Sequence, residues 1–190
     1  RKRGIYAYRM NYSIQETGYI DSMSLENCAQ FYQKMREGAV PVTSQMTPYE
    51  FLDFWAALLE EHHLPIVHIA MGFGGRHRRL HGGRRGIGGI SGTCANALAA
   101  KSLFENAHPG VEIYVVDSTL ASIGYGMLCI WAADMRDQGK SPEDCVSFLE
   151  NHKAQINTYY TTDDLKYLYR SGRVSKTGVL VATALNINPI

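Results

Sequence analysis

Gly89-Ile90-Ser91-Gly92-Thr93 stands between an apolar run, Ile66-Val67-His68-Ile69-Ala70, and the Ala-rich segment Cys94-Ala95-Asn96-Ala97-Leu98-Ala99-Ala100-Lys101-Ser102-Leu103-Phe104. The upstream run is short, continuous and rich in β-branched residues, which predicts a buried strand. The downstream segment has the composition of a good helix former. The hydroxyl cluster between them therefore presents Ser91 and Thr93, with free backbone N–H groups, at a helix N-terminus. Those groups and the helix dipole favour an anion such as a carboxylate or phosphate. The alternative use of the same hydroxyls is a simple helix cap. An Arg-, Gly- and His-rich run, Phe73 to Gly88, separates the strand from the cluster.

Working outward, strands and helices alternate. Ile5 to Ile14 is Tyr-rich and loosely alternating, which predicts an edge strand. Ser24 caps a helix whose apolar positions Leu25, Cys28, Phe31, Tyr32 and Met35 follow helical spacing, and Gly38 ends it. Pro41-Val42-Thr43-Ser44-Gln45 is a short extended segment. It leads into Thr47-Pro48-Tyr49-Glu50, a capping box with Pro at the first helical position. Phe51, Phe54, Trp55, Leu58 and Leu59 form the core face of that second helix. Val111 to Val116 reads as another buried strand and ends in Asp117-Ser118. Helices follow over Ser122 to Gln138 and from Ser141-Pro142-Glu143-Asp144 onward.

This order predicts an α/β fold, a parallel-sheet domain with crossover helices. Ligands of such sheets bind at the carboxyl ends of the strands. Thr43-Ser44, the Ser91 cluster and Asp117-Ser118 are all expected there. Beyond about His152 the character changes. Ile156 to Tyr160 is strand-like, Asp163 to Leu168 a short helix, Arg170-Ser171-Gly172-Arg173-Val174-Ser175 a basic loop and Thr177 to Leu185 helical. A strand begins at Asn188-Pro189-Ile190. The expected organisation is one domain over residues 1–154 and the start of a second α/β domain over 155–190.

The 190 residues are 45% hydrophobic, enough for a real core, and carry a formal net charge of +1. Arg76, Arg78, Arg79, Arg84 and Arg85 crowd one acid-free stretch; without them 14 basic residues face 18 acidic ones. The remainder has the balance of a cytoplasmic protein and not of a nucleic-acid binder. Cys28, Cys94, Cys129 and Cys145 are widely spaced, and three of them fall on apolar helix faces, as small buried hydrophobes do. Disulfides are not expected, and no apolar run is long enough to span a membrane. The N-terminus, Arg1 to Tyr6, lacks the apolar core of a signal peptide, and its want of a starting Met leads us to expect a processed or truncated chain.

Two catalytic motifs are excluded. Gly89-Ile90-Ser91-Gly92-Thr93 is not a nucleophile elbow, because Thr93 stands where the turn needs Gly. No Gly-Lys-Ser/Thr occurs, so there is no Walker A loop. Nor is a metal site expected: His62 and His63 lack partners at ligand spacing, and His77 and His81 lie in a Gly-rich run. Uncharged donors at Thr43, Ser44, Ser91 and Thr93 suit an acid whose tail enters an apolar cavity, since no buried charge then needs a partner. Arg170 and Arg173, fixed by Gly172, are either solvated charges or a phosphate clamp.

Pro41-Val42-Thr43-Ser44-Gln45, Gly89-Ile90-Ser91-Gly92-Thr93, Val115-Val116-Asp117-Ser118 and the run from Asp163 to Ser175 occur in this order, and together they resemble the DegV family of bacterial fatty-acid-binding proteins. The resemblance covers nearly the whole chain outside Phe73–Gly88. It implies a two-domain α/β protein with a long-chain fatty acid held between the domains. Such a protein is a carrier without turnover, the binding subunit of a fatty acid kinase. It presents the carboxylate to a separate ATP-using kinase that makes acyl phosphate for phospholipid synthesis. The resemblance places the carboxylate at Thr43, Ser44, Ser91, Gly92 and Thr93, and Arg170 and Arg173 toward the phosphate or the kinase. It implies no cofactor beyond the bound fatty acid.

The chain departs from the family in lacking the opening strand before Arg1. It also lacks most of the second domain, with its carboxylate-binding histidine, and carries the extra run Phe73–Gly88. Two other functions remain open from residues alone. One is a serine esterase using Ser91 with His68; the other is phosphate or nucleic-acid binding through Arg76 to Arg85.

Overall fold

Ile66–Ala70 and Ile113–Asp117 pair in parallel, as the two apolar runs predict. The computed structural model describes residues 3–72, 91–159, 162, 165–172 and 174–184. In chain order the elements are β1 (Asn11–Ile14), β2 (Thr17–Ile20), α1 (Leu25–Arg36), β3 (Pro41–Thr43), α2 (Pro48–His62), β4 (Ile66–Ala70), α3 (Thr93–Ala107), β5 (Ile113–Asp117), α4 (Ser122–Asp137), α5 (Pro142–His152), α6 (Lys166–Arg170) and α7 (Lys176–Ala184). A 3-10 turn over Lys153–Gln155 extends α5. The run Phe73–Gly88, Gly89, Ile90, Arg173 and Asn188-Pro189-Ile190 lie outside the described residues.

The parallel pair is in register from Ile66↔Ile113 to Ala70↔Asp117 and is covered on both faces. On one face α2 and α3 contribute Phe51, Trp55, Ala97, Ala100 and Phe104, packed with Met46 and Ile113. On the other, Ile69 and Val116 pack with Leu120, Leu128, Cys145 and Leu149 from α4, α5 and the loop before them. Two-sided burial explains why these strands read as continuous apolar runs and do not alternate. The helix starts follow their sequence signals. The Thr47 hydroxyl accepts from Glu50 N at 3.3 Å while the Glu50 carboxylate accepts from Thr47 N at 2.7 Å. Ser141 Oγ likewise accepts from Asp144 N at 3.1 Å, with Pro142 in the first turn of α5.

Four expectations are corrected. Pro41–Thr43 does not join the parallel sheet; it pairs antiparallel with β1, Tyr12 opposite Thr43. The Tyr-rich N-terminal strand is shorter than Ile5 to Ile14, and it is central in a small sheet of order β2-β1-β3. A tight turn through Gln15 (φ 55°) folds Thr17–Ile20 back onto it, stacking Tyr19 on Tyr12 at 5.2 Å, and β3 takes the other edge. Helix α1 buries no residue fully: Leu25 is 90% exposed and Cys28 is exposed, because the small sheet meets the helix through Phe31, whose ring meets Tyr12 edge-on at 5.2 Å, and through Lys34, whose Nζ lies 4.5 Å from the Tyr19 ring centroid. Finally, residues 156–159 form no strand. Ile156 joins the α4–α5 core, and Thr158 lies so close to α4 that a Cβ on Gly124 would stand 2.6 Å from its methyl.

Phe104 links α3 to Trp55 of α2 and to the sheet, whereas Leu25 touches no core. Phe104→Ala is expected to cost about 3–5 kcal/mol of unfolding free energy. Leu25→Ala is expected to cost no more than ~0.5 kcal/mol, both read from urea titrations of the same protein.

Candidate functional site

The carboxyl ends of β4 and β5 meet through a tightly bonded loop. Ser118 N donates to Ala70 O at 3.1 Å. The Asp117 carboxylate accepts from Thr119 N at 2.9 Å, and Thr119 and Ser122 hold positive φ values of 54° and 51°. Gly72 approaches so closely that a Cβ there would stand 1.7 Å from Asp117 Oδ1, so any side chain would displace that carboxylate. Ser118 is fully buried, and its hydroxyl is consumed by the fold. It donates to Leu120 O at 3.0 Å and accepts from Gly72 N and Leu120 N, each at 3.2 Å. Behind the strand end, Lys153 Nζ donates to Asp117 O at 2.7 Å and to Glu150 at 2.6 Å. Asp117-Ser118 thus stands at the expected strand end, but Ser118 offers nothing to a ligand.

Helix α3 starts beside that end. Gly92 is its N-cap and supplies no side chain. Ser91 Oγ lies 2.7 Å from Thr93 Oγ1 and accepts from Thr93 N at 3.2 Å, so the two hydroxyls form one preset pair. The following amides of the first turn are the ones a helix cannot satisfy internally. No acidic residue occupies that turn. Burial pushes the Cys94 thiol above its ordinary pKa, and the Asp117 carboxylate pushes it further, so it remains a neutral thiol at neutral pH.

Thr43 ends β3, and Thr43 and Ser44 are exposed. Although β3 lies in the other sheet, the segment after it reaches α3. The Gln45 carboxamide lies over Gly92, where a Cβ would stand 2.4 Å from Oε1. Met46 is buried, and its carbonyl accepts from Asn96 Nδ2 at 2.7 Å. The two hydroxyl segments are therefore joined through Gln45 and Met46. Neither Gln45 nor Asn96 is marked by any sequence pattern beyond its place beside the hydroxyls.

Arg170 is exposed at the end of α6, before Gly172 at φ 74°, and makes no hydrogen bond to Ser91, Gly92 or Thr93. Arg173 and Arg76 to Arg85 lie outside the described residues. Open clefts of about 290 and 590 Å³ lie elsewhere, beside Tyr8 and Phe54 and on the surface of α1. Among the described residues no three His, Cys, Asp or Glu side chains converge, and no helix is long and apolar enough to cross a membrane.

His68 does not serve Ser91. Its ring packs edge-on against Phe51 at 5.1 Å and Trp55 at 5.5 Å, on the sheet face that α2 and α3 cover. Among the described residues Ser91 Oγ bonds Thr93 and not His68. Burial pushes the His68 imidazole down to about 4, so it is neutral in the folded protein at neutral pH.

Comparison with known proteins places these elements in a wider set. A family described as uncharacterised proteins of the DegV family matches residues 87–190. Curated DegV domain-containing proteins of Clostridium perfringens and Caldanaerobacter subterraneus are each 30% identical, over 179 and 187 residues, 94% and 98% of this chain. The chain spans 56% and 59% of their lengths. A stearic-acid-binding protein from Eubacterium ventriosum superposes over 100% of this chain and 60% of its own, with TM-score 0.77 and 24% identity. A fatty-acid-binding DegV family protein from Thermus thermophilus covers 99% and 60%, with TM-score 0.69 and 26% identity. The fatty acid kinase (Fak) B3 protein of Streptococcus pneumoniae, loaded with linoleic acid, covers 95% and 57%, with TM-score 0.70 and 22% identity.

The buried imidazole makes stability depend on pH. Its folded pKa, about 4, lies below the unfolded value of 6.5. The unfolded chain therefore binds the extra proton, and stability is lost as pH falls through that window. The loss is expected to approach ~3 kcal/mol at pH 4. His68→Phe should flatten this part of the profile, measured by denaturant titrations between pH 7 and 4.

Proposed function

The chain belongs to the DegV family, and on that premise we propose that it binds a long-chain fatty acid, with the carboxylate held by Thr43, Ser44, Ser91, Gly92 and Thr93. The observation that carries this reading is the preset Ser91–Thr93 hydroxyl pair at the start of α3, with the Thr43–Gln45 segment tied to the same helix end. Helix amides and neutral hydroxyls bind one negative charge without burying a second ion. A carboxylate fits that set better than a phosphate dianion, because Asp117 already places a negative charge nearby.

Helix α4, which follows the carboxyl end of β5, carries exposed apolar residues. Ile123, in the first turn of α4, is 77% exposed, and Met127 and Ile130 follow on the same helix face at 39% and 44%. Exposed apolar residues at this helical spacing suit a ligand or partner. The acyl chain lies along them, between this domain and a second that opens at residue 155.

The protein is a carrier. Its residues bind and orient; the chemistry belongs to a separate ATP-dependent fatty acid kinase in the cytoplasm. There a carboxylate oxygen attacks the γ-phosphorus of ATP, the bond to ADP breaks, and acyl phosphate forms for phospholipid synthesis. Arg170 and Arg173 are the residues we assign to the phosphate or the kinase. The Fak B3 protein of Streptococcus pneumoniae, loaded with linoleic acid, supports this partnership.

Mass spectrometry of the denatured protein should release fatty acids of long chain. Thr43→Ala and Ser91→Ala should each weaken oleate binding about 10-fold, the effect of losing a hydrogen bond to a charged group. A protein that carries no acyl chain, and binds no added oleate, would overturn the reading.

A further inference from the structure

Gln45 follows Thr43-Ser44 directly, and its carboxamide lies across the N-cap of α3. A Cβ on Gly92 would stand 2.4 Å from Gln45 Oε1 and 3.2 Å from Nε2, so both polar atoms cover one backbone position. The carboxamide has no hydrogen-bond partner among the described residues. Its location is nevertheless imposed. The next residue, Met46, is 4% exposed in the core, and its carbonyl accepts the 2.7 Å hydrogen bond from Asn96 Nδ2. Asn96 N also donates to Gly92 O at 3.2 Å. One residue of α3 is thus tied to the N-cap through its backbone and to the Gln45–Met46 peptide through its side chain.

We infer that Gln45 is a further carboxylate-binding residue and that Asn96 is the positioning residue that holds it over the helix end. This rests on the fatty-acid reading above. Gln45 Oε1 is the carboxamide atom nearest the position a Gly92 Cβ would take, beside the N-cap of α3. An arriving carboxylate takes that place, and a half-turn of the carboxamide presents Nε2 to it as a donor. The Ser91–Thr93 pair and the first-turn amides satisfy the other oxygen. Gly92 keeps the space: any side chain there would push the carboxamide off the N-cap.

The test compares oleate with oleyl alcohol on the full chain, because only the head-group differs. Gln45→Ala should weaken oleate about 5- to 10-fold and leave oleyl alcohol unchanged. Gln45→Glu should weaken oleate further, by like-charge repulsion, and recover as pH falls through about 4.3, where glutamate protonates. Asn96→Ala and Asn96→Asp should both reproduce the Gln45→Ala loss, since neither can donate to the Met46 carbonyl. Asn96→Asp keeps the shape of the side chain, and thermal unfolding of each variant reports any loss of fold separately. Equal oleate affinity in wild type, Gln45→Ala and Gln45→Glu would overturn the inference. Equal losses for oleate and the alcohol would also overturn it, by showing a purely structural role. If wild type binds oleate poorly, the fatty-acid reading itself falls, and the wild-type titration shows this before any variant is compared.

Discussion

Parallel pairing of β4 with β5 needs a crossover, and a crossover helix runs opposite to its strands, so α3 begins at the carboxyl ends of both. Phe104, Ala97 and Ala100 hold that helix against Trp55, Phe51 and Ile113. Everything at the site follows from this placement. The Ser91–Thr93 pair stands beside Asp117 because the helix start cannot be elsewhere. Gly72 leaves room for the Asp117 carboxylate where the two strand ends converge. If α3 shifted by one turn, Asn96 would lose Met46, and the Thr43–Gln45 segment would come free of the helix.

The site is built almost without charge. Neutral hydroxyls, a carboxamide and helix amides surround a position whose nearest carboxylate, Asp117, already bonds its own loop. The cation behind it, Lys153, is committed to a backbone carbonyl and to Glu150. A single anionic head on an apolar body is the ligand such a set admits with least desolvation, because no protein counter-ion must be buried with it. The Cys94 thiol beside Asp117 is neutral, and the imidazole of His68 is caged by Phe51 and Trp55.

Much of the fold was legible locally. The capping box of α2, the Ser141 cap of α5 and a proline in each first turn marked their starts, and continuous apolar runs marked β4 and β5, because two-sided burial removes alternation. The small N-terminal sheet was not legible. Pro41 to Gln45 looks like a strand of either sheet, and its pairing with β1 is set by the return of the chain through α1, not by composition. The apolar spacing of α1 misled for a similar reason: periodicity records which face is apolar, not whether anything covers it.

By itself the sequence determined the order of strands and helices, the hydroxyl clusters and the family they belong to, because caps, turns and apolar runs act over a few residues. Only the tertiary structure decided which hydroxyls remain available. Ser118 and Ser91 look alike as residues that follow strands, yet one is buried and fully bonded while the other stands at a helix start. It also decided that Gln45 and Asn96 belong to the same corner. A hydrogen bond between residues 50 positions apart leaves no mark on either local sequence; it exists only once β3, α2 and α3 have packed.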